Sequence, residues 1–318
     1  MELIRGLHNL SDRHRGSVVT IGAFDGVHRG HQAVIADLLA RARALELPAT
    51  VIVFEPLPRE YFAPVQAPPR LMSFREKFTV LDGLGVHRLL RIRFDRRFSS
   101  LSARAFIDAV LVRGLGARYV VVGDDLRFGH DREGCVELLH EVGEGAGFEV
   151  RSTSTVAVQG ERVSSTRLRA VLAGGDFAAA ERMLGRPYSM LGKVIYGRQL
   201  GREIGVPTAN LELRRHRSPL AGVYVVEVCV DGRLLPGVAN VGTRPTVSDG
   251  IKANLETHLL DFAGDLYGRT IEVIFRHQVR EERRFGSLEE LRERIADDIG
   301  VARAYFAARG PQRNQRNP

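Results

Sequence analysis

Short apolar runs alternating with helical spacing dominate the first 185 residues. VVTIG (18–22), ATVIVF (49–54), HRLLRI (87–92) and RYVVVG (118–123) are brief, β-branched and bounded by Gly or Pro. Such runs fit strands buried on both faces, as in a parallel sheet. Between them, Gln32 to Leu45, Ser73 to Leu84, Ala103 to Val112 and Glu133 to Glu144 repeat apolar residues every three to four positions, as amphipathic helices do. The alternation predicts a doubly wound α/β domain over residues 1–185.

Past Arg186-Pro187 the chain becomes Gly-rich, and strand-like runs follow one another with only turns between: Val223 to Val230, Leu234 to Val241, Asn254 to Leu260 and Thr270 to Phe275. This predicts a small antiparallel barrel or sandwich over residues 186–318. From Leu288 to Phe306, Leu288, Leu291, Ile295, Ile299 and Val301 form an apolar stripe, predicting a helix that closes the barrel. The polar tail, residues 309–318, is expected to be disordered.

Composition narrows the class without choosing a function. A hydrophobic fraction of 44% with 26% charged residues is that of a globular protein. No window reaches the roughly 18 apolar residues a membrane helix needs, so a membrane is not an expected partner. The amino terminus lacks an apolar core with a small-residue cleavage site, so the expected location is the cytoplasm. Cys135 and Cys229 stand alone, which argues against a disulfide framework or a zinc site. The net charge of +8 suits a polyanion but splits as +3 and +5 between the two halves, and no RNP, KH or zinc-knuckle signature accompanies it. Nucleic acid is therefore not an expected partner, and Arg-rich stretches such as Leu213 to Arg217 read as solvated surface.

The first chemical constellation is TIGAFDGVHRGHQ, Thr20 to Gln32, directly after the first strand. A strand-to-helix turn in an α/β sheet binds phosphates, because free N–H groups and the helix dipole point at the anion. Gly22, Phe24, Gly26 and Gly30 would shape that cradle. His28 and His31, three apart on the first helical turn, could donate to one phosphate chain. Two surface histidines without a role are the alternative on spacing alone, and zinc lacks further ligands nearby.

GAFDGVHRGH resembles the HxGH signature of nucleotidylyltransferases. FEPLPREYF (54–62), GDDLRFGHDREG (123–134) and VSSTRLR (163–169) extend the resemblance to the FMN adenylyltransferase half of bacterial FAD synthetases. That resemblance implies a Rossmann-like domain in which His28 and His31 hold the triphosphate. Ser164, Ser165, Thr166 and Arg169 would close on the phosphates, and Phe62, Asp125 and Phe128 would line the flavin site. The sequence departs from the family pattern at Ala23, Leu57 and Leu126.

The second constellation is GKVIYGRQLGREIGVPTANLEL, Gly192 to Leu213. Gly197, Gly201 and Gly205 allow backbone to approach phosphate closely, and the absence of GxxxxGK[ST] means no P-loop is used. Pro207-Thr208-Ala209-Asn210 resembles the PTAN signature of riboflavin kinases, which implies Thr208 and Asn210 as oxygen ligands of Mg²⁺. AGVYVVEV, GVANVGTRPTV, LETHLLDF, DLYGRTIEVIF and VREERRFGSLEEL then follow in that family's order. In this resemblance Glu256 is the general base, His258 has no catalytic role, and Arg280 and Arg283 either contact ligand or coat a loop.

The chain is thus expected to be a bifunctional riboflavin kinase and FMN adenylyltransferase, using ATP, riboflavin and FMN with Mg²⁺, as a monomer or weak homo-oligomer. A single-function nucleotidylyltransferase with another phosphate acceptor is the alternative, and a basic RNA-binding module ranks below it.

Overall fold

A computed structural model describes residues 1–153, 156–158, 160–197, 201, 205–215, 217–246, 250–283 and 285–309. Two compact units emerge, one from residues 1–68 and 77–164, the other from residues 69–76 and 165–318.

The first unit is built on a six-stranded parallel sheet. Its strands are β1 (Glu2–Arg5), β2 (Ser17–Ile21), β3 (Ala49–Glu55), β4 (Arg88–Arg93), β5 (Ala117–Gly123) and β6 (Glu149–Thr153), in the order β1-β4-β3-β2-β5-β6. All five residues of β2 are buried, as are the first five of β3; strands covered on both faces are predominantly apolar, and the hydroxyl residues Ser17, Thr20 and Thr50 are the exceptions here. The strand order runs one way from β2 through β4 and the other way through β5 and β6, so a switch point lies between β2 and β5. In open α/β sheets ligands bind beyond the carboxyl ends of the strands at such a point. The His28–His31 turn leaves β2 there.

The predicted helices appear as α1 (Arg29–Ala44), α3 (Phe74–Gly83), α5 (Ala103–Phe106) and α6 (Val136–Ala146). Short helices α2 (Pro58–Phe62) and α4 (Arg96–Ser99) add to them. α5 was expected to run on to Val112; instead it passes into a π-helix, Ile107–Gly114. Ile107, Val110 and Leu111 in that segment are completely buried beneath the sheet. A small hairpin, β7 (Ala157–Val158) with β8 (Glu161–Arg162), lies near the end of this unit.

The second unit contains α7 (Ser165–Ala173), α8 (Phe177–Leu184) and a closed antiparallel barrel. Its strands are β9 (Ser189–Ile195), β10 (Ala209–Glu212), β11 (Gly222–Val230), β12 (Arg233–Thr246), β13 (Gly250–Leu259) and β14 (Thr270–Arg280), in the order β10-β13-β12-β11-β14-β9. The sequence changes character at Arg186-Pro187, but the packing divides at Ser164/Ser165. The reason is α8: Phe177 packs edge-on against Tyr224 at 5.7 Å and stacks over Phe275 at 6.2 Å, so this helix belongs to the barrel.

Segment 69–76 is held in the same unit by a buried ion pair, whose Arg215 corrects the expectation that residues 213–217 are solvated surface. The Arg215 guanidinium donates to both Glu76 carboxylate oxygens at 2.7 and 2.6 Å and to the Leu71 carbonyl and Tyr188 hydroxyl at 3.3 Å. Glu76 also accepts from the N–H groups of Ser73 and Leu191. A buried charge pair is tolerable only with hydrogen bonds of this kind around it.

The last helix, α9 (Leu288–Arg309), corrects two expectations. β9–β10 pairing closes the barrel, through Asn210↔Ile195, Leu211↔Val194 and Glu212↔Lys193; α9 packs outside against β11 and β12. Nor is its inner face the predicted stripe: Leu288 is 60% and Val301 42% exposed, while Ala302 and Asp298 are buried with Ile299, Tyr305 and Phe306 beside the barrel. The helix faces the barrel through a charged residue because Asp298 accepts three hydrogen bonds from Arg280 on β14, at 2.8 to 3.1 Å. The tail beyond Arg309 lies outside the described residues.

Candidate active sites

In the first unit the chain leaves β2 through a left-handed turn. Phe24 (φ 47°), Gly26 (φ 90°) and Val27 (φ 40°) all take positive φ. Only glycine does so without cost, so Phe24 and Val27 hold strain that the surroundings must sustain; both are buried. His28 then caps α1, its ring Nδ1 accepting the His31 backbone N–H at 3.3 Å. That nitrogen carries no proton, which leaves Nε2–H as the donor.

The His28 and His31 rings stack at 3.7 Å and 15°. His31 Nδ1 is sealed from solvent and has no hydrogen-bond partner among the described residues. Burial, followed by the neighbouring His28 and Lys77, pushes the His31 imidazole well below the ordinary histidine value of 6.5. Gly30 fits closely at this place: a β-carbon there would come within 3.1 Å of the His28 ring and 3.6 Å of the Val163 carbonyl oxygen. The same distance brings the stretch ending at Ser164 alongside the turn.

Ser165 and Thr166 open α7, and Arg169 lies further along it, with its Nε donating to the Pro69 carbonyl at 2.6 Å. Asp125 is exposed and accepts from the Arg162 guanidinium at 2.7 Å.

Phe62 and Phe128 do not meet. Phe62 is 67% exposed and touches Phe94 edge-on at 5.6 Å, on the rim of a cleft of about 590 Å³. Phe94, Phe98, Phe106, Arg96 and His130 line the cleft as well. Phe128 is 7% exposed and packs behind Phe106 at 5.3 Å, with its backbone bridged to Gly134. It supports the wall from the core.

In the barrel the PTAN segment runs into β10. A β-carbon on Gly197 would overlap the Asn210 side chain, and one on Gly201 would overlap the Val206 carbonyl and approach the Thr208 hydroxyl at 3.3 Å. These two glycines leave room for that segment, and Gly205 supplies a left-handed turn (φ 78°) just before it. Asn210 pairs in register with Glu256 on β13, and Glu256 with Asn240 on β12, so three polar side chains form one row across three strands.

Two neighbours on β13, which motif spacing did not single out as functional, hold this row. Asn254 donates to Glu256 Oε1 at 2.9 Å, and His258 Nδ1 lies 2.8 Å from the Pro207 carbonyl oxygen, the place of a donated proton. Thr208 and Asn210 also line a cleft of about 500 Å³ with Pro207, Leu259, Tyr196 and Tyr267; the last two rings stack at 4.0 Å. Arg280 and Arg283 are engaged elsewhere, with Asp298 and Glu290 respectively.

The described residues contain no group of three or more His, Cys, Asp or Glu side chains suited to a metal. Two neutral oxygen donors, Thr208 and Asn210, fit a hard ion that keeps most of its shell for phosphate and water, as Mg²⁺ does.

Comparison with known proteins also finds two parts. A family model described as FAD synthetase matches residues 10–167, and one described as riboflavin kinase matches residues 184–306. A protein of Pseudomonas fluorescens named bifunctional riboflavin kinase/FMN adenylyltransferase is 53% identical, over 96% of this chain and 98% of its own. Proteins of the same name from Escherichia coli K12 and Haemophilus influenzae are 51% and 43% identical, over 98% and 96% of this chain and 100% and 99% of theirs. A crystal structure named as a macrolide-efflux protein from Streptococcus pneumoniae covers 96% of this chain and 100% of its own, with a TM-score of 0.78 at 30% identity. Among the described residues no helix is long and apolar enough to cross a membrane.

Proposed function

The chain belongs to the family of bifunctional riboflavin kinase/FMN adenylyltransferases, and we propose that its two steps are carried by the two clusters just described. It phosphorylates riboflavin to FMN and adenylylates FMN to FAD. The observation that supports the assignment is that each family signature coincides with a built site: the stacked histidine pair at the switch point, and the Asn210–Glu256–Asn240 row beside the PTAN cleft. A single-function nucleotidylyltransferase would leave the second without purpose.

In adenylyl transfer an FMN phosphate oxygen attacks the α-phosphorus of ATP, and the bond to the β-phosphate oxygen breaks to release pyrophosphate. No side chain need form a covalent bond, so catalysis rests on positioning and charge stabilisation. His28 Nε2–H and His31 donate to the phosphates, over a cradle of backbone from Gly22, Phe24, Gly26 and Gly30. The family resemblance assigns phosphate contact to Ser164, Ser165, Thr166 and Arg169 as well. Flavin enters the Phe62 cleft, with Asp125 among the polar groups near the transfer and Phe128 behind the wall.

In the kinase half the ribityl 5′-hydroxyl oxygen attacks the γ-phosphorus of ATP and ADP leaves. Glu256, oriented by Asn254, accepts the hydroxyl proton. Gly197, Gly201 and Gly205 permit close approach of the phosphates. Thr208 and Asn210 would hold Mg²⁺, which when bound neutralises phosphate charge. A cytoplasmic location, a monomeric or weakly oligomeric state, and a partner list without membrane or nucleic acid complete the proposal.

Two variants test it. Glu256→Ala should lower riboflavin phosphorylation by about 10²-fold or more while FMN added directly still becomes FAD. His28→Ala combined with His31→Ala should do the reverse. Loss of both activities from either folded variant contradicts separate sites.

A further inference from the structure

Lys77 has no place in the chemistry assigned above, yet it is 1% exposed and lies in the first turn of α3, beneath the histidine turn. Lysine is almost never buried so completely, because its ammonium loses water that a low-dielectric interior does not replace. Its Nζ donates to the Ala23 carbonyl at 2.7 Å, and the Glu55 carboxylate stands 3.8 Å away at the end of β3. Ala23 is the residue between Gly22 and the left-handed Phe24, at the start of the strained stretch. A hydrogen bond from a fixed ammonium to that carbonyl is the kind of outside attachment that keeps positive-φ residues in place.

After burial and His28, the ammonium is the third influence that holds the His31 imidazole down. His28 stacks on this ring and Phe24 lies 5.1 Å from it; Asp25 is buried in the same turn, and Glu55 pairs with the lysine. A methionine or leucine would fill the volume of Lys77 but supply neither the donor nor the charge.

We propose that Lys77 is a positioning residue for adenylyl transfer: it fixes the floor of the Gly22–His28 turn through the Ala23 carbonyl and supplies the buried positive charge behind the histidine pair. This rests on the reading of that turn as the site of AMP transfer. Lys77 acts through Ala23 and His31, so its removal should alter how the histidines present their donors. With the charge gone, His31 takes up a proton at higher pH, and stacked against His28 it no longer presents the same donor and acceptor pattern.

The test uses the full-length protein with FMN, ATP and Mg²⁺, following FAD formation across pH, and riboflavin phosphorylation by the same samples as the sign of a folded chain. Lys77→Met should lower kcat for FAD formation by about tenfold or more, and should move the acid limb of the profile upward by about half a pH unit or more. Lys77→Arg keeps the charge, so its acid limb should stay at the wild-type pH while the bulkier group displaces Ala23 and lowers the rate. Wild-type kcat in the Met variant, a fall in rate with an unmoved limb, or an equal shift in the Arg variant would overturn the proposal. Should the Met variant also lose riboflavin phosphorylation, the Arg variant decides alone: a lowered rate with the limb unmoved supports the proposal, and a wild-type rate or a shifted limb overturns it. Failure of the wild-type protein to make FAD would instead remove the reading of the site itself.

Discussion

Arg215 and Glu76 show how much one pair of charges can be asked to do. The Arg215 side chain is fully enclosed, that of Glu76 nearly so, and their hydrogen bonds extend to Ser73, Leu191, Leu71 and Tyr188. Removing one partner strands the other in an interior without water. Glu76→Ala is therefore expected to destabilise the protein by about 3–5 kcal/mol, read as a lower urea midpoint, whereas an exposed pair such as Arg104–Glu141 should cost little when broken.

His31 makes the pH prediction at this scale. Its folded value lies below 6.5, so between the two values the unfolded chain binds a proton that the folded chain refuses. The resulting stability is present above 6.5 and is lost as pH falls through the folded value. Wild-type protein should therefore lose stability faster than His31→Gln as pH falls from 7 to about 5.5, measured by urea denaturation; parallel losses would contradict the assigned shift.

At the scale of elements, Gly197 and Ala302 carry opposite lessons. Gly197 lies against Asn210, so Gly197→Ala should push Asn210 from the PTAN cleft and reduce riboflavin phosphorylation, with FAD formation from FMN retained. Ala302 marks the close approach of α9 to the barrel; Ala302→Leu should cost about 1–3 kcal/mol by overpacking, while Val301→Ser, one residue away on the exposed side, should leave the melting temperature nearly unchanged.

The α9 stripe shows where sequence pattern loses force. Leu288 and Val301 suit an inner face by hydrophobicity, but the buried polar position is Asp298, and Arg280 makes it tolerable from a distant strand. β2 to β5 were legible because each carries a short run of buried Val, Ile or Leu, as central strands of a parallel sheet must. β1 and β6 were not, since edge strands such as Glu149–Thr153 carry charge at exposed positions. α7 and α8 went unpredicted, although Asp176 as N-cap and left-handed Gly185 at the end of α8 are signals the sequence carries. The motif turns were legible for the same reason they are recognisable in relatives: glycines and polar groups sit at short fixed spacing. The contacts of Lys77 and His258 had no such spacing, because Lys77 meets Ala23 only across 54 residues and His258 meets Pro207 across 51.

For the whole molecule, the stacked His28–His31 pair and the Asn210–Glu256–Asn240 row lie in different compact units, and the two family models match separate stretches, residues 10–167 and 184–306. One chain carries both reactions in sequence. This is tested most directly by incubating purified protein with riboflavin, ATP and Mg²⁺ and separating the flavins by chromatography over time. The account predicts that FMN appears first and FAD follows from it; a chain that leaves riboflavin unchanged, or stops at FMN even when FMN is supplied, would contradict it.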